Sequence, residues 1–358
     1  MTLLVVKNCK AKYLENMQNS ESAKIQTKYV LQRFETFCQQ TQNKSEDEVI
    51  EELKILKKTK SEDEYKQVLY NTILQPFINE LGKFYDPSAL RGLFSYFKGY
   101  LVSWGIIIYR EESKIFLKFP KRCEDAKHVF TKPEVRSICN VSSPKRRMLY
   151  LVLSSSAMRI QETIRLRKKD IEVSDGKVTI QIKAPYTKTK QERHTFISQE
   201  ASELLIPHLA TLQDNDLVFG VNENPKLAKA VEESTFTEYR KKAGFCNCDI
   251  VGTKNCIGKY TSSKQHKITL HSFRSYAISA VNRQDFGLGN SLAGHGYYMK
   301  NYDRMEIEEK RAIYKLAEPR LNVYATTEAT ENLVNQNKML LDQIARLQER
   351  MDLMDKKP

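Results

Sequence analysis

With 358 residues the chain is long enough for two domains of ordinary size, each burying a core, plus tails. Its 58 Lys and Arg outnumber 44 Asp and Glu, and the net charge of +14 favours a polyanionic partner, nucleic acid before an acidic membrane surface. A membrane span, a signal peptide and a disulfide framework are all disfavoured: no apolar run approaches ~20 residues, "MTLLVV" is short and has no basic region before it, and the seven cysteines are scattered apart from one cluster.

Residues 1–20 read as an N-terminal arm. Residues 21–118 read as a bundle of four or five helices. In "AKIQTKYVLQRFETFC" apolar residues recur near helical spacing, and "EDEVIEELKILKK" is acidic first and basic last, as a helix dipole prefers. "EYKQVLYNTILQPFINEL" runs into Pro76, and "DPSALRGLFSYFKGYLVSWGI" opens on a capping Asp-Pro-Ser. Residues 119–130 are poor in apolar side chains and read as a linker.

The second domain, residues 131–327, is mixed. Thr131 is placed to cap a helix with Pro133 and Glu134 in its first turn, and "KRRMLYLVLSSS" reads as a buried helix. Val178, Ile180 and Ile182 then alternate with polar residues, and "RHTFI" alternates again after a polar turn, which predicts a β-hairpin with lysines at its tip. Helices are expected to resume after Pro207 and continue past residue 310. In residues 328–358, Leu333, Asn337, Leu340, Ile344, Leu347, Met351 and Met354 recur in steps of four and three. That spacing predicts a coiled coil, with Asn337 able to fix its register; a single amphipathic helix docked on the body is the simpler alternative.

Four stretches of the second domain carry chemistry. In "SAMRIQETIRL", Arg159 stands at a helix start with Glu162 one turn on, so its planar fork can meet a phosphate while the carboxylate holds it. In "YTKTKQERH", Lys188 and Lys190 can neutralise a phosphate or protonate a leaving oxygen. In "HSFR", His271 and Arg274 share a helix face. In "LAGHGYYMKNYDR", Gly294 precedes His295, and Tyr297, Tyr298 and Tyr302 follow. Each has a bland reading: a surface ion pair, a solvated turn, a core histidine, aromatic packing.

Taken in order, Arg-x-x-Glu, hairpin Lys, His-x-x-Arg, Gly-His and Tyr resemble the tyrosine recombinases, or phage-type integrases, over roughly residues 128–304. The resemblance implies a mainly α fold with a small antiparallel sheet: a helical core-binding domain that clamps DNA, and a mixed α+β catalytic domain. It implies that Arg159 and Arg274 grip the scissile phosphate and Glu162 stiffens Arg159. Lys188, with Lys190 in reserve, would be the general acid. His271 would move a proton or orient the phosphate, and His295 would donate a hydrogen bond to it. A tyrosine would attack phosphorus to give a 3′-phosphotyrosine, with no metal or nucleotide required. Double-stranded DNA is the implied partner and a homotetramer the implied active assembly, with a dimer through residues 333–354 the alternative in solution.

Two features depart from the family. Arg304 stands where its tyrosine usually falls; Tyr302 lies two residues short and is the favoured nucleophile, ahead of Tyr298 and Tyr314. The helical-looking "EEKRAIYKLAEPRLNVY" that follows is a segment the family often packs on an adjacent protomer. Secondly, Cys246, Cys248 and Cys256 with His266 form a cluster that can hold a structural zinc or be a loop of thiols. Type IB topoisomerase activity and non-catalytic DNA binding are the competing functions.

Overall fold

The computed structural model describes residues 10–18, 20–121, 125–187, 189–246, 258–260, 265–294 and 305–324. The chain divides into two compact units, Met1–Glu124 and Asp125–Pro358. The proposed coiled coil, residues 328–358, lies outside the described residues.

The first unit is helical: α1 (Lys10–Asn16), α2 (Glu21–Gln42), α3 (Glu46–Thr59), α4 (Glu62–Lys66), α5 (Gln75–Gly82), α6 (Pro87–Ser103) and α7 (Arg110–Phe116). The helix starts follow local chemistry. Ser45 and Ser61 each form a reciprocal cap with Glu48 and Glu64, and Asp86 caps α6 ahead of Pro87. Between α4 and α5, residues Gln67–Leu74 widen into a π-helix in which Gln75 N–H reaches Tyr70 O. The helix thus passes into Pro76, which has no N–H to donate, without breaking. Within the expected arm, α1 packs down, its Tyr13 ring edge-on to Tyr100 at 5.2 Å.

An aromatic cluster centres this unit. Phe34 is fully buried, with ring centroids 4.5 Å from Phe97 and 5.0 Å from Phe77. Trp104, the only tryptophan in the chain, is buried at the end of α6. Its fluorescence therefore reports on this unit. Phe34→Ala is expected to cost ~3–5 kcal/mol, and the tryptophan-detected urea midpoint should fall accordingly.

The second unit contains α8 (Lys132–Val141), α9 (Pro144–Ser156), α10 (Ile160–Thr163), β1 (Ile171–Ser174), β2 (Lys177–Ile182), β3 (Arg193–Phe196), α11 (Gln199–Ala210), α12 (Pro225–Lys242), α13 (Leu270–Asn282), α14 (Phe286–Ala293) and α15 (Ile307–Leu321). The expected hairpin forms, with Ile180 opposite Thr195 and Ile182 opposite Arg193. A third antiparallel strand, β1, pairs with β2 and was not expected; it has four residues and is mostly exposed, so little alternation marks it. α11 also differs. It starts at the Ser198 cap and runs through Pro207. Pro207 and Glu203 both lie on the exposed side, so the carbonyl that proline leaves unbonded can be met by water.

α13 is central, packed against α9 and α14. Phe273 stacks on Tyr150 at 5.1 Å and meets Phe130 edge-on at 5.1 Å. α15 packs within its own unit, against α13, α9 and β3. Among the described residues no helix is long and apolar enough to cross a membrane.

Candidate active site

The site is built where four helix ends meet. α9 is buried from Met148 to Ser156 and ends on Ala157, whose φ of 57° is left-handed. An alanine there carries roughly 1–2 kcal/mol of strain, and it turns the chain sharply towards Arg159. Arg159 is the N-cap of α10. Its backbone N–H donates to Glu162 Oε2 at 2.8 Å and its Nη1 donates to Oε1 at 2.9 Å. Glu162 therefore caps a helix and orients a guanidinium with the same carboxylate.

α13 supplies the opposite wall. Thr269 caps it, with its N–H donating to Ser272 Oγ at 2.9 Å. His271 and Arg274 then fall on one face while Phe273 enters the core. Arg274 is 1 % exposed. Its Nη1 donates to Ala157 O and its Nη2 donates to Ala293 O at 2.5 Å. Ala157 closes α9 and Ala293 ends α14, so two electronegative helix ends solvate this buried cation.

Arg159, Arg240, Thr269, His271 and Arg274 all line one cleft of about 380 Å³. Its electrostatics favour an anion. Burial, then the Arg159 charge, pulls Arg274 down to about 9. His271 is exposed at the cleft, and partial desolvation there, then the charges of Arg274 and Arg159, lower its pKa and favour the neutral imidazole. Burial pushes the Glu162 carboxyl up, but Arg193 and Arg159 outweigh it and leave it below its ordinary value. The N-terminus of α13 adds its partial positive charge to the cleft.

Residues 128–289 match the model of the phage integrase family. This segment belongs to that family. Within the phage integrase segment lie Arg159, Glu162, His271 and Arg274; His295 and Tyr302 follow it. No curated protein sequence matches the chain. Among solved structures, the chain is similar to XerA recombinase at 18 % identity and a TM-score of 0.37, covering 86 % of this chain and 96 % of that one. It is similar to the integrase from mycobacterium phage Brujita at 14 % identity and a TM-score of 0.41, covering 83 % and 93 %. It is also similar to the Tn1549 transposon integrase in complex with circular intermediate DNA, at 11 % identity and a TM-score of 0.46, covering 80 % and 99 %.

The fold thus brings together Arg159, Glu162, His271 and Arg274. Lys188, His295, Tyr297, Tyr298 and Tyr302 lie outside the described residues. Lys190 is exposed in the β2–β3 connection, with a left-handed φ of 54°. Tyr314 is elsewhere: it is buried in α15, its hydroxyl donating to Ser155 O at 3.0 Å and its pKa raised well above the ordinary value by burial. It is not available as the nucleophile. Of the cysteine cluster, Cys246 Sγ lies 3.7 Å from His266 Nδ1, while Cys248 and Cys256 lie outside the described residues. Among the described residues no group of three or more His, Cys, Asp and Glu could hold a metal.

Two arginines were not expected. Arg193 donates from Nη2 to Glu162 Oε2 at 2.6 Å and from Nε to Leu292 O at 2.8 Å. Arg240 donates from Nη1 to Ile268 O at 3.1 Å, just ahead of the α13 cap. The sequence signal for Arg240 is its phase: Ala228, Glu232, Phe236 and Arg240 recur every four residues and all are buried. For Arg193 it is the shared strand face with buried Thr195.

Sulfate should bind this cleft and raise the melting temperature by a few degrees relative to chloride at matched ionic strength. The increment rests on the charge of Arg159 and Arg274, so it should shrink as the ionic strength of the buffer is raised. Arg274→Met should lack it. Differential scanning fluorimetry reads all three.

Proposed function

We propose that the protein is a site-specific recombinase that cuts and rejoins double-stranded DNA through a 3′-phosphotyrosine intermediate. The observation that carries this reading is the convergence of Arg159, His271 and Arg274 on one cleft, with Glu162 clamping Arg159. Two fixed guanidiniums suit the non-bridging oxygens of a phosphodiester, where charge grows in an in-line displacement. Glu162 holds Arg159 in place through the step.

The proposed chemistry balances without an external energy source. The Tyr302 oxygen forms the new bond to phosphorus as the bond to the 5′-oxygen breaks. The phenol has an ordinary pKa of about 10 and needs both a cationic setting and a proton acceptor to react. His271, its neutral form favoured, suits that acceptor role; Lys188 would give a proton to the departing 5′-oxygen, and His295 would donate a hydrogen bond to the phosphate. Attack by the 5′-hydroxyl of the exchanged strand reverses the step and releases the tyrosine. No metal or nucleotide is needed on this reading.

The partners that fit are double-stranded DNA and further copies of the chain. Joining two duplexes calls for four protomers, and a seam from Leu333 to Met354 would supply a dimer contact. A mobile element or virus is the natural source of such an enzyme.

A nicked suicide duplex tests the reading. Wild type should form a covalent adduct and Tyr302→Phe should not, whereas Tyr314→Phe, if folded, should keep it. Adduct in Tyr302→Phe contradicts the nucleophile assignment. No adduct on any cognate duplex favours non-catalytic DNA binding, and adduct with supercoil relaxation but no two-site strand exchange favours a type IB topoisomerase.

A structural zinc at Cys246, Cys248, Cys256 and His266 belongs to the same proposal. What supports it is the Cys246–His266 separation of 3.7 Å. Sulfur and nitrogen ligands of one tetrahedral zinc stand about 3.6 Å apart, given their usual bond lengths. Elemental analysis of purified protein should find about one zinc per chain; Cys246→Ser should lower it, and metal-free protein with an unchanged melting temperature contradicts the site.

A further inference from the structure

We infer that Arg193 is a positioning residue for DNA cleavage, locking the first arginine of the site to the end of α14. The inference rests on the recombinase reading and extends it to a residue that does not face the cleft.

One guanidinium joins three distant segments. Arg193 stands at the start of β3, opposite Ile182. Its Nη1 and Nη2 form a fork on Glu162, at 3.3 Å to Oε1 and 2.6 Å to Oε2. Its Nε donates to Leu292 O, in the last turn of α14, at 2.8 Å. Glu162 in turn orients Arg159, and Arg274 holds the next carbonyl of α14, that of Ala293. The two gripping arginines and the helix end that leads to His295 are therefore fixed to one another through Arg193.

Its geometry assigns a role other than a phosphate contact. The Arg193 side chain is 9 % exposed, against 28 % for Arg159. All three of its nitrogens are used within the protein. A lysine has one nitrogen and cannot span both Glu162 and Leu292 O. Gly294 is matched to it. Its φ is +64°, and a Cβ there would stand 3.1 Å from Arg193 Cδ and Nη1. Only glycine both turns left-handed and leaves room for the guanidinium. Thr195, two residues along the same face, donates to Ser156 O at 2.6 Å and pins β3 to the end of α9. The β2–β3 connection that carries Lys188 thus leads directly into a strand anchored at the site.

The test compares Arg193→Ala and Arg193→Lys with wild type on the suicide duplex. It reads DNA affinity, the single-turnover rate of adduct formation, and that rate with low guanidinium chloride or, as control, potassium chloride. Affinity should change by no more than about three-fold, while adduct formation should slow roughly 100-fold in Arg193→Ala. Guanidinium, and not potassium, should restore part of the Arg193→Ala rate. Arg193→Lys should also be slow, although it keeps the charge and serves if the alanine variant does not fold. Wild-type rates in the variants overturn the proposal. So does a loss of binding and cleavage in step with the folded fraction, with no guanidinium rescue. Absence of adduct in wild type itself strikes the recombinase reading instead.

Discussion

Glu162 is a single carboxylate, 1 % exposed, that answers two arginines and a backbone N–H at once. A charge so deeply buried is tolerable only when its lone pairs are filled, and removing one partner of such a pair costs on the order of 3–5 kcal/mol. The rest of the site follows from that requirement. Glu162 must sit one turn into α10 to reach Arg159 N–H, β3 must bring Arg193 alongside, and α14 must end where Arg193 Nε can meet Leu292 O. The carboxylate neutralises only part of the charge around it. Arg159, Arg193 and Arg274 together exceed it, and the excess opens on a cleft.

The scaffold meets the cost of this excess with helix ends instead of acids. Arg274 is solvated by carbonyls at the close of α9 and α14. A nearby carboxylate would satisfy it as well, but would cancel the field that an incoming phosphate needs. Behind the cleft, Tyr150, Phe236, Phe273 and Phe130 form a continuous aromatic wall that keeps α13 from shifting. A stiff backing of this kind lets the guanidiniums act as fixed charges, which need little reorganisation when charge develops. On the recombinase reading, phosphoryl transfer therefore depends on how packing positions a few charges.

Much of this was legible in the residues. The helix starts at Ser45, Ser61, Asp86 and Thr131 carry their own caps. The hairpin was visible because Val178, Ile180 and Ile182, all buried, alternate along the chain with the polar Thr179, Gln181 and Lys183. The pairs Arg159–Glu162 and His271–Arg274 were visible because three residues make about one helical turn. β1 was hidden by its short, exposed course, and α11 by Pro207, which normally marks a helix boundary. Arg193 was hidden for a deeper reason. Its partners, Glu162 and Leu292, are 31 and 99 residues away, and the strand face it shares with Thr195 marks it as inward without naming either of them. Tyr314 shows the reverse: a tyrosine whose position in the sequence leaves it a candidate is removed by its burial against Ser155 O.

The most direct measurement of the central claim is to map the covalent bond itself. The adduct formed on suicide DNA is trimmed with nuclease, digested with trypsin and read by mass spectrometry. The account places the nucleotide remnant on Tyr302, in the short peptide that follows Lys300 and ends at Arg304. A remnant on any other residue, Tyr297, Tyr298 and Tyr314 included, would contradict it.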